Sequence, residues 1–271
     1  MSGQPLIVTA DDYGLTDATS RAIIEAHHEG IVTATSVLAV APGIGERLAW
    51  LDECPALSVG VHLAVVGEDR PLSSSREIPT LVDRSGAFRR SWRELVPLLA
   101  VGRVDPNDLR RELTAQIAVV REHGHPTHLD THQHLHLWPS IAEVVTDLAV
   151  EAGIAAVRVP RSSGTGPRGR MIDLLANRLE RRIRDRGLTT TDHFRGLDEA
   201  GGWTVSRLRD ALADLARRGG SAEINVHPGG SVDLDRSRFA WGYAWAQERE
   251  ALIDPELRRV VDRLGFDLVG R

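Results

Sequence analysis

The chain has 271 residues, 42% hydrophobic and 26% charged, with a formal net charge of −5. This is the balance of a globular protein long enough for one large α/β domain, and its charge offers no global attraction to nucleic acid or to an anionic membrane. The single cysteine, Cys54, excludes intramolecular disulfides and cysteine-cluster zinc sites. No apolar run approaches the roughly 20 residues that span a bilayer, and MSGQPLIVTA has no basic region before a long apolar core, so the expectation is a cytoplasmic protein with no membrane span.

In chain order, residues 6–10 are a short apolar strand, broken by Asp11-Asp12-Tyr13-Gly14. Thr16 or Asp17 caps a helix that ends near Gly30. β-Branched residues predict a strand over 33–40, followed by a helix over about 45–53 and a strand over 57–63. Residues 67–92 are polar, with Pro71, Pro79 and Gly86, and read as a long excursion of the kind that is often functional. Asp105-Pro106 opens a helix by the cap-then-proline rule, running to about His123. Residues 127–130 are a short strand, 140–153 a helix and 155–159 a strand. Arg168, Arg170, Arg178, Arg181, Arg182, Arg184 and Arg186 alternate with apolar residues as an amphipathic helix that ends near Gly187. Its charged outer face leaves open a local site for an anionic partner. Further strands are expected at 189–194, 222–226 and 266–269, and helices at 205–218 and 255–264.

Seven or eight short strands alternating with helices predict a parallel sheet in one domain over 1–271, open or closed into a (β/α) barrel. In both forms ligands sit at the carboxyl ends of the strands.

Six of the eleven histidines fall between His123 and His136, and the dense part reads T-H-L-D-T-H-Q-H-L-H-L-W-P. If extended, it puts His132, His134 and His136 on one side. A core has little use for such a row, whereas imidazole suits metals and proton transfer. The alternative is a solvated His-rich loop. Four polar groups share the predicted strand ends: Asp11 with Asp12, His62, the stretch from His128 to His132, and His227 before Pro228-Gly229. One aspartate and two histidines hold a divalent metal and leave room for water and substrate. Asp12, His62 and His132 are the chosen set, Asp11 the base beside it, and His227 the acid for a leaving amine. There is no G-x-S-x-G, so no serine nucleophile is implied. Each residue has a plainer reading: helix caps for the Asp pair, a buried hydrogen-bonded ring for His62, packing for Trp138, Trp241 and Trp245. His27, His28 and His193 are not expected to be ligands.

The stretches L-I-V-T-A-D-D-Y-G-L-T, G-I-V-T-A-T-S, V-G-V-H-L, E-I-P-T-L-V-D, A-V-R-V-P-R, H-F-R-G-L and N-V-H-P-G, with the His-rich run, span nearly the whole chain in order. In them the chain resembles the YdjC/ChbG carbohydrate deacetylases, including the HpnK-like members. The resemblance implies a TIM-barrel-like (β/α) barrel, distorted or seven-stranded, related in mechanism to the NodB-type polysaccharide deacetylases. It puts the metal triad on Asp12, His62 and His132, the base on Asp11 and, by the NodB analogy, the acid on His227. His134, His136, Asp130, Arg158 and Trp138 are assigned to substrate binding. The implied reaction removes acetate from an N-acetylated sugar, a chitooligosaccharide or related amino-sugar conjugate, with one divalent ion, magnesium or zinc. The alternatives are an HpnK-like enzyme for a lipid-linked hopanoid sugar, another metal-dependent hydrolase or lyase on the same barrel, and a catalytically silent sugar-binding protein. The last has no use for a spare base beside a metal triad. Residues 162–191 match no family pattern and are the place for substrate choice to be set. A homodimer is left open.

Overall fold

The computed structural model describes residues 3–271. Among them eight strands form one all-parallel sheet: β1 (Gln4–Tyr13), β2 (Ala34–Val37), β3 (Ser58–Leu63), β4 (His128–Thr131), β5 (Ala156–Val157), β6 (His193–Arg195), β7 (Ala222–Val226) and β8 (Phe266–Leu268). Seven run in the order β5-β4-β3-β2-β1-β7-β6, and β8 pairs with the first residues of β1. The amide of Val157 donates to the Thr189 carbonyl at 3.0 Å, and that of Thr189 to Ala155 at 2.8 Å. These two bonds lay β5 against the segment leading into β6, so the edges of the curled sheet approach each other. The fold is the distorted, seven-stranded (β/α) barrel expected.

The helices are α1 (Asp17–His28), α2 (Ile44–Ala49), α3 (Trp92–Ala100), α4 (Pro106–Arg121), α5 (Pro139–Glu151), α6 (Pro167–Asp185), α7 (Val205–Arg218), α8 (Trp245–Leu252) and α9 (Pro255–Arg263). Their starts follow local chemistry. Thr16 Oγ1 accepts from the Thr19 amide at 3.0 Å, and Asp105 accepts from Asn107 at 2.8 Å with Pro106 in the first turn. α6 buries Ala176, Leu179 and Ile183 and turns Arg168, Arg170, Arg178 and Arg181 outward, as its amphipathic pattern predicts. Among the described residues no helix is long and apolar enough to cross a membrane.

Two helices have no counterpart in the sequence reading. α3 carries Pro97 in its interior, and α8 is eight residues long behind a Gly- and Pro-rich loop. The strand expected over 33–40 stops at Val37: the Leu38 amide makes the last ladder bond, to Tyr13 at the end of β1, and the chain then turns, with the Ala41 amide donating back to the Leu38 carbonyl at 3.1 Å. The excursion over 67–92 has almost no regular structure. α4 supplies its missing partners: Glu112 accepts from the amides of Leu72 and Ser73 at 3.0 and 2.9 Å, and Asp108 from Thr80 at 2.9 Å. Buried backbone donors require such partners, which explains why acidic side chains of α4 face inward.

Candidate metal centre and active site

Asp12 sits inside β1 at φ 66, where the register against β2 shifts between Ala10 and Tyr13. A non-glycine residue in the left-handed region costs about 1–3 kcal/mol and marks a site the rest of the fold over-determines. The bulge lets two adjacent aspartates reach the barrel mouth with separate partners, which regular alternation would not allow. His62 is the next-to-last residue of β3, His132 directly follows β4, and His227 directly follows β7. All lie at the carboxyl ends of their strands, where barrel enzymes build their sites.

Asp12 Oδ1 lies 3.4 Å from His62 Nε2 and 3.4 Å from His132 Nδ1. The two rings meet edge-on with centroids 5.4 Å apart. Asp12 is 1% exposed, and its Oδ1 has no hydrogen-bond partner. An orphaned buried carboxylate oxygen facing two imidazole nitrogens is the arrangement a divalent cation satisfies. A second cluster, Asp11–His62–Asp130, has similar spacing. It fits a cation less well, because its carboxylate oxygens are already engaged by Arg158, Ser36 and His62. Burial opposes ionisation of Asp12, but His132, His62 and His227 outweigh it and hold its carboxyl well below the ordinary carboxylate range.

Asp11 accepts from both terminal nitrogens of Arg158, at 2.7 and 2.8 Å. Its pKa is nonetheless raised, first by burial and then by Asp130, against the pull of Arg158 and His62. His227 is 6% exposed, its Nδ1 has no partner, and its amide donates to Glu248 at 2.6 Å.

The structure divides the remaining assigned residues. Asp130 and Arg158 are completely buried. Asp130 accepts from Ser36 Oγ at 2.6 Å and lies 2.6 Å from His62 Nδ1, so it orients that ring instead of meeting a ligand. Arg158 is consumed by carboxylates of the protein. His136 is also sealed: Nδ1 lies 2.6 Å from Thr131 Oγ1, and Nε2 2.9 Å from the Arg158 carbonyl. Trp138 caps α5 and packs on the core. The row of histidines is not extended. Gln133 and His134 both sit at φ 54, so the chain coils after His132 and sets His134 edge-on against Phe194. Asp130, Arg158 and His136 are thus interior struts rather than groups presented to a substrate, whereas Trp138 and His134 are half-buried, the first packed on the core and the second against Phe194.

Two aromatic residues stand at the centre instead. Trp241 lies tilted on His132 with centroids 5.2 Å apart, and Tyr243 lies 5.0 Å from His227. Trp241 Nε1 donates to Glu68 at 3.0 Å and Arg238 pairs with Asp69, tying the segment after β7 across the mouth to the excursion after β3. The composition F-A-W-G-Y-A-W over 239–245 was the available signal. Glu248 and Tyr243 carried none that pointed to His227.

A profile of the family described as YdjC-like protein matches residues 5–263. The chain is 34% identical to a carbohydrate deacetylase of Brevibacillus brevis across 97% of both chains. It is 31% identical to a human carbohydrate deacetylase, across 97% of this chain and 88% of that one. A chitooligosaccharide deacetylase of Salmonella schwarzengrund is 29% identical over 96% and 95%. Among solved structures, an Enterococcus faecalis V583 protein provisionally named for cellobiose-phosphate cleavage superimposes with a TM-score of 0.82 at 24% identity, covering 99% and 98% of the two chains. That likeness concerns the fold. With a profile covering nearly all of its length and relatives matched end to end, the chain belongs to the YdjC-like protein family.

Proposed function

We propose that the protein is a metal-dependent N-deacetylase of an N-acetylated sugar. The observation that carries the reading is the orphaned Asp12 Oδ1 between His62 and His132, with a separate carboxylate, Asp11, beside it. The deacetylase names of the relatives supply the substrate class. Asp12, His62 and His132 would hold the ion, and two imidazoles with one carboxylate suit zinc or another transition metal better than magnesium. When bound, such an ion polarises a carbonyl oxygen and lowers the pKa of water.

The chain's own residues divide the proton work. Asp11, fixed by the Arg158 fork and with a lone pair left on each oxygen, takes a proton from the water that adds to the acetyl carbon. His227 gives a proton to the amine as the C–N bond breaks, so acetate and a free amino sugar leave. Trp241 and Tyr243 offer apolar faces for the sugar ring beside His132 and His227. A pure sugar-binding protein would not need a second carboxylate, Asp11, fixed by Arg158 beside the Asp12 centre.

The test is acetate release from a panel of N-acetylated sugars, N-acetylglucosamine oligomers first, by protein stripped of metal and reloaded with zinc or magnesium. Release that requires the ion and disappears in Asp12→Ala supports the reading. Zinc-loaded protein inert on every member refutes it.

A further inference from the structure

The interior of a (β/α) barrel is ordinarily filled with branched aliphatic side chains. In this barrel a line of ions crosses it. Besides its two bonds to Asp11, Arg158 brings Nη2 to 3.0 Å from Asp130 and donates Nε to Glu223 Oε1 at 2.9 Å. Glu223, the second residue of β7, is fully buried, and Thr9 Oγ1 donates to the same oxygen at 2.8 Å. Its other oxygen pairs with the guanidinium of Arg271, whose side chain is 2% exposed. The Arg271 amide donates to Ser58 Oγ at 3.0 Å, at the start of β3 and therefore at the barrel end opposite the Asp12 centre.

One guanidinium at Arg158 thus serves three carboxylates, and they compete for it. Glu223 is the competitor with no contact to the Asp12 centre. Arg271 neutralises Glu223 from below and leaves the Arg158 fork to Asp11. Ion pairs of this kind are a poor source of stability, because apolar residues of similar volume do as well or better. Their value lies in holding one arrangement.

We propose that Arg271 is a positioning residue for the reaction: through Glu223 and Arg158 it fixes the carboxylate of Asp11 at the far end of the barrel. The kinetic consequence rests on Asp11 acting as the base in the proposed deacetylation; the structural consequence does not.

The experiment compares zinc-loaded wild type, Arg271→Met, Arg271→Lys and the double variant Arg271→Met/Glu223→Gln, with Arg271→Gln replacing Arg271→Met if the latter does not fold. With the N-acetylglucosamine dimer, kcat of Arg271→Met should fall about 10- to 100-fold, the scale of a small misplacement of a reacting group. KM and zinc content should stay at wild-type values. Arg271→Lys, which keeps the charge, should recover most of the loss. So should the double variant, because removing the Glu223 charge removes the competitor. Wild-type kcat in Arg271→Met, or a loss unchanged in the double variant, overturns the proposal. A wild type that releases no acetate refutes the proposed function instead. The crystal structure of Arg271→Met then decides: Arg158 drawn off Asp11 toward Glu223 supports the positioning role, and both Arg158–Asp11 bonds intact overturns it.

Discussion

His62 stands between two carboxylates, 2.6 Å from Asp130 through Nδ1 and 3.4 Å from Asp12 through Nε2. The two have different duties. Asp130 is saturated by Ser36, Arg158 and the His62 ring, whereas Asp12 Oδ1 has no protein partner. A ring whose Nδ1–H is committed to a carboxylate presents the Nε2 lone pair to a cation, and such outer partners typically contribute 10–100-fold to metal affinity.

Asp130→Asn should therefore weaken zinc binding by about 10–100-fold while the protein stays folded. Competition against a chromophoric chelator measures the affinity, and thermal unfolding checks the fold. Unchanged affinity would mean that packing alone orients the His62 ring.

The same ring sets a pH dependence. In the metal-free protein burial pushes the pKa of His62 down, but Asp130, Asp11 and Asp12 more than compensate and raise it from 6.5 to about 9. The folded value exceeds the unfolded one, so this stabilisation is complete below the unfolded value of 6.5 and is lost as pH rises through about 9. The Tm of metal-free protein should fall across that window. A cation needs the neutral ring and expels its proton, so the zinc-loaded Tm should not follow the decline. Calorimetric titration of zinc at pH 7.5 in buffers of different ionisation enthalpy should show proton release. Binding with no proton release would show that His62 is already neutral.

The barrel and the convergence of Asp12, His62 and His132 are legible because their signals are local. Apolar runs mark β1, β3 and β7, the Asp105-Pro106 pair marks the start of α4, and aspartate or histidine stands at several strand ends. What could not be read depends on distant partners or on backbone conformation. Arg158 meets Glu223 across 65 positions, and Arg271 meets it across 48, so no motif joins them. The spacing of His132, His134 and His136 suggested one face, but two consecutive left-handed residues separate them. His136 consequently lies under the site, bracing the Arg158 carbonyl. The complete burial of Arg158 and Asp130 is visible only once the sheet curls.

Gly60 illustrates how closely β3 is fitted to this interior. A Cβ there would lie 2.4 Å from His128 Nε2. His128 bridges Thr127 at 2.9 Å and Ser36 at 3.1 Å, and Ser36 donates to Asp130. Burial, with Arg271, pushes the His128 pKa down to about 3, so the ring is a neutral strut. Gly60→Ala should destabilise the fold by about 1–3 kcal/mol, the cost of overpacking a close-packed core, and lower zinc affinity through the Ser36–Asp130–His62 chain. Denaturant unfolding with chelator competition tests both, and a variant indistinguishable from wild type in both would contradict the packing.

His227 is the proposed proton donor. Its Nδ1 has no partner, and the ring stands beside Tyr243 close enough to Asp12 to help hold that carboxyl ionised. Of the other histidines after β4, His136 has both ring nitrogens engaged, and His134, whose Nδ1 is also without a partner, packs edge-on against Phe194. An amine leaves only when protonated, whereas an activated phenolate leaves unaided. His227→Ala should lower kcat for N-deacetylation by about 10²- to 10⁴-fold, the usual contribution of a general acid, and hydrolysis of an activated aryl acetate far less. Zinc content should be unchanged, because the residues proposed to hold the ion are on β1, β3 and the turn after β4. Equal losses on amide and ester would assign His227 to binding or folding. Full amide turnover would remove it from the reaction and leave the amine to be protonated by water or by Asp11 after it has collected the first proton.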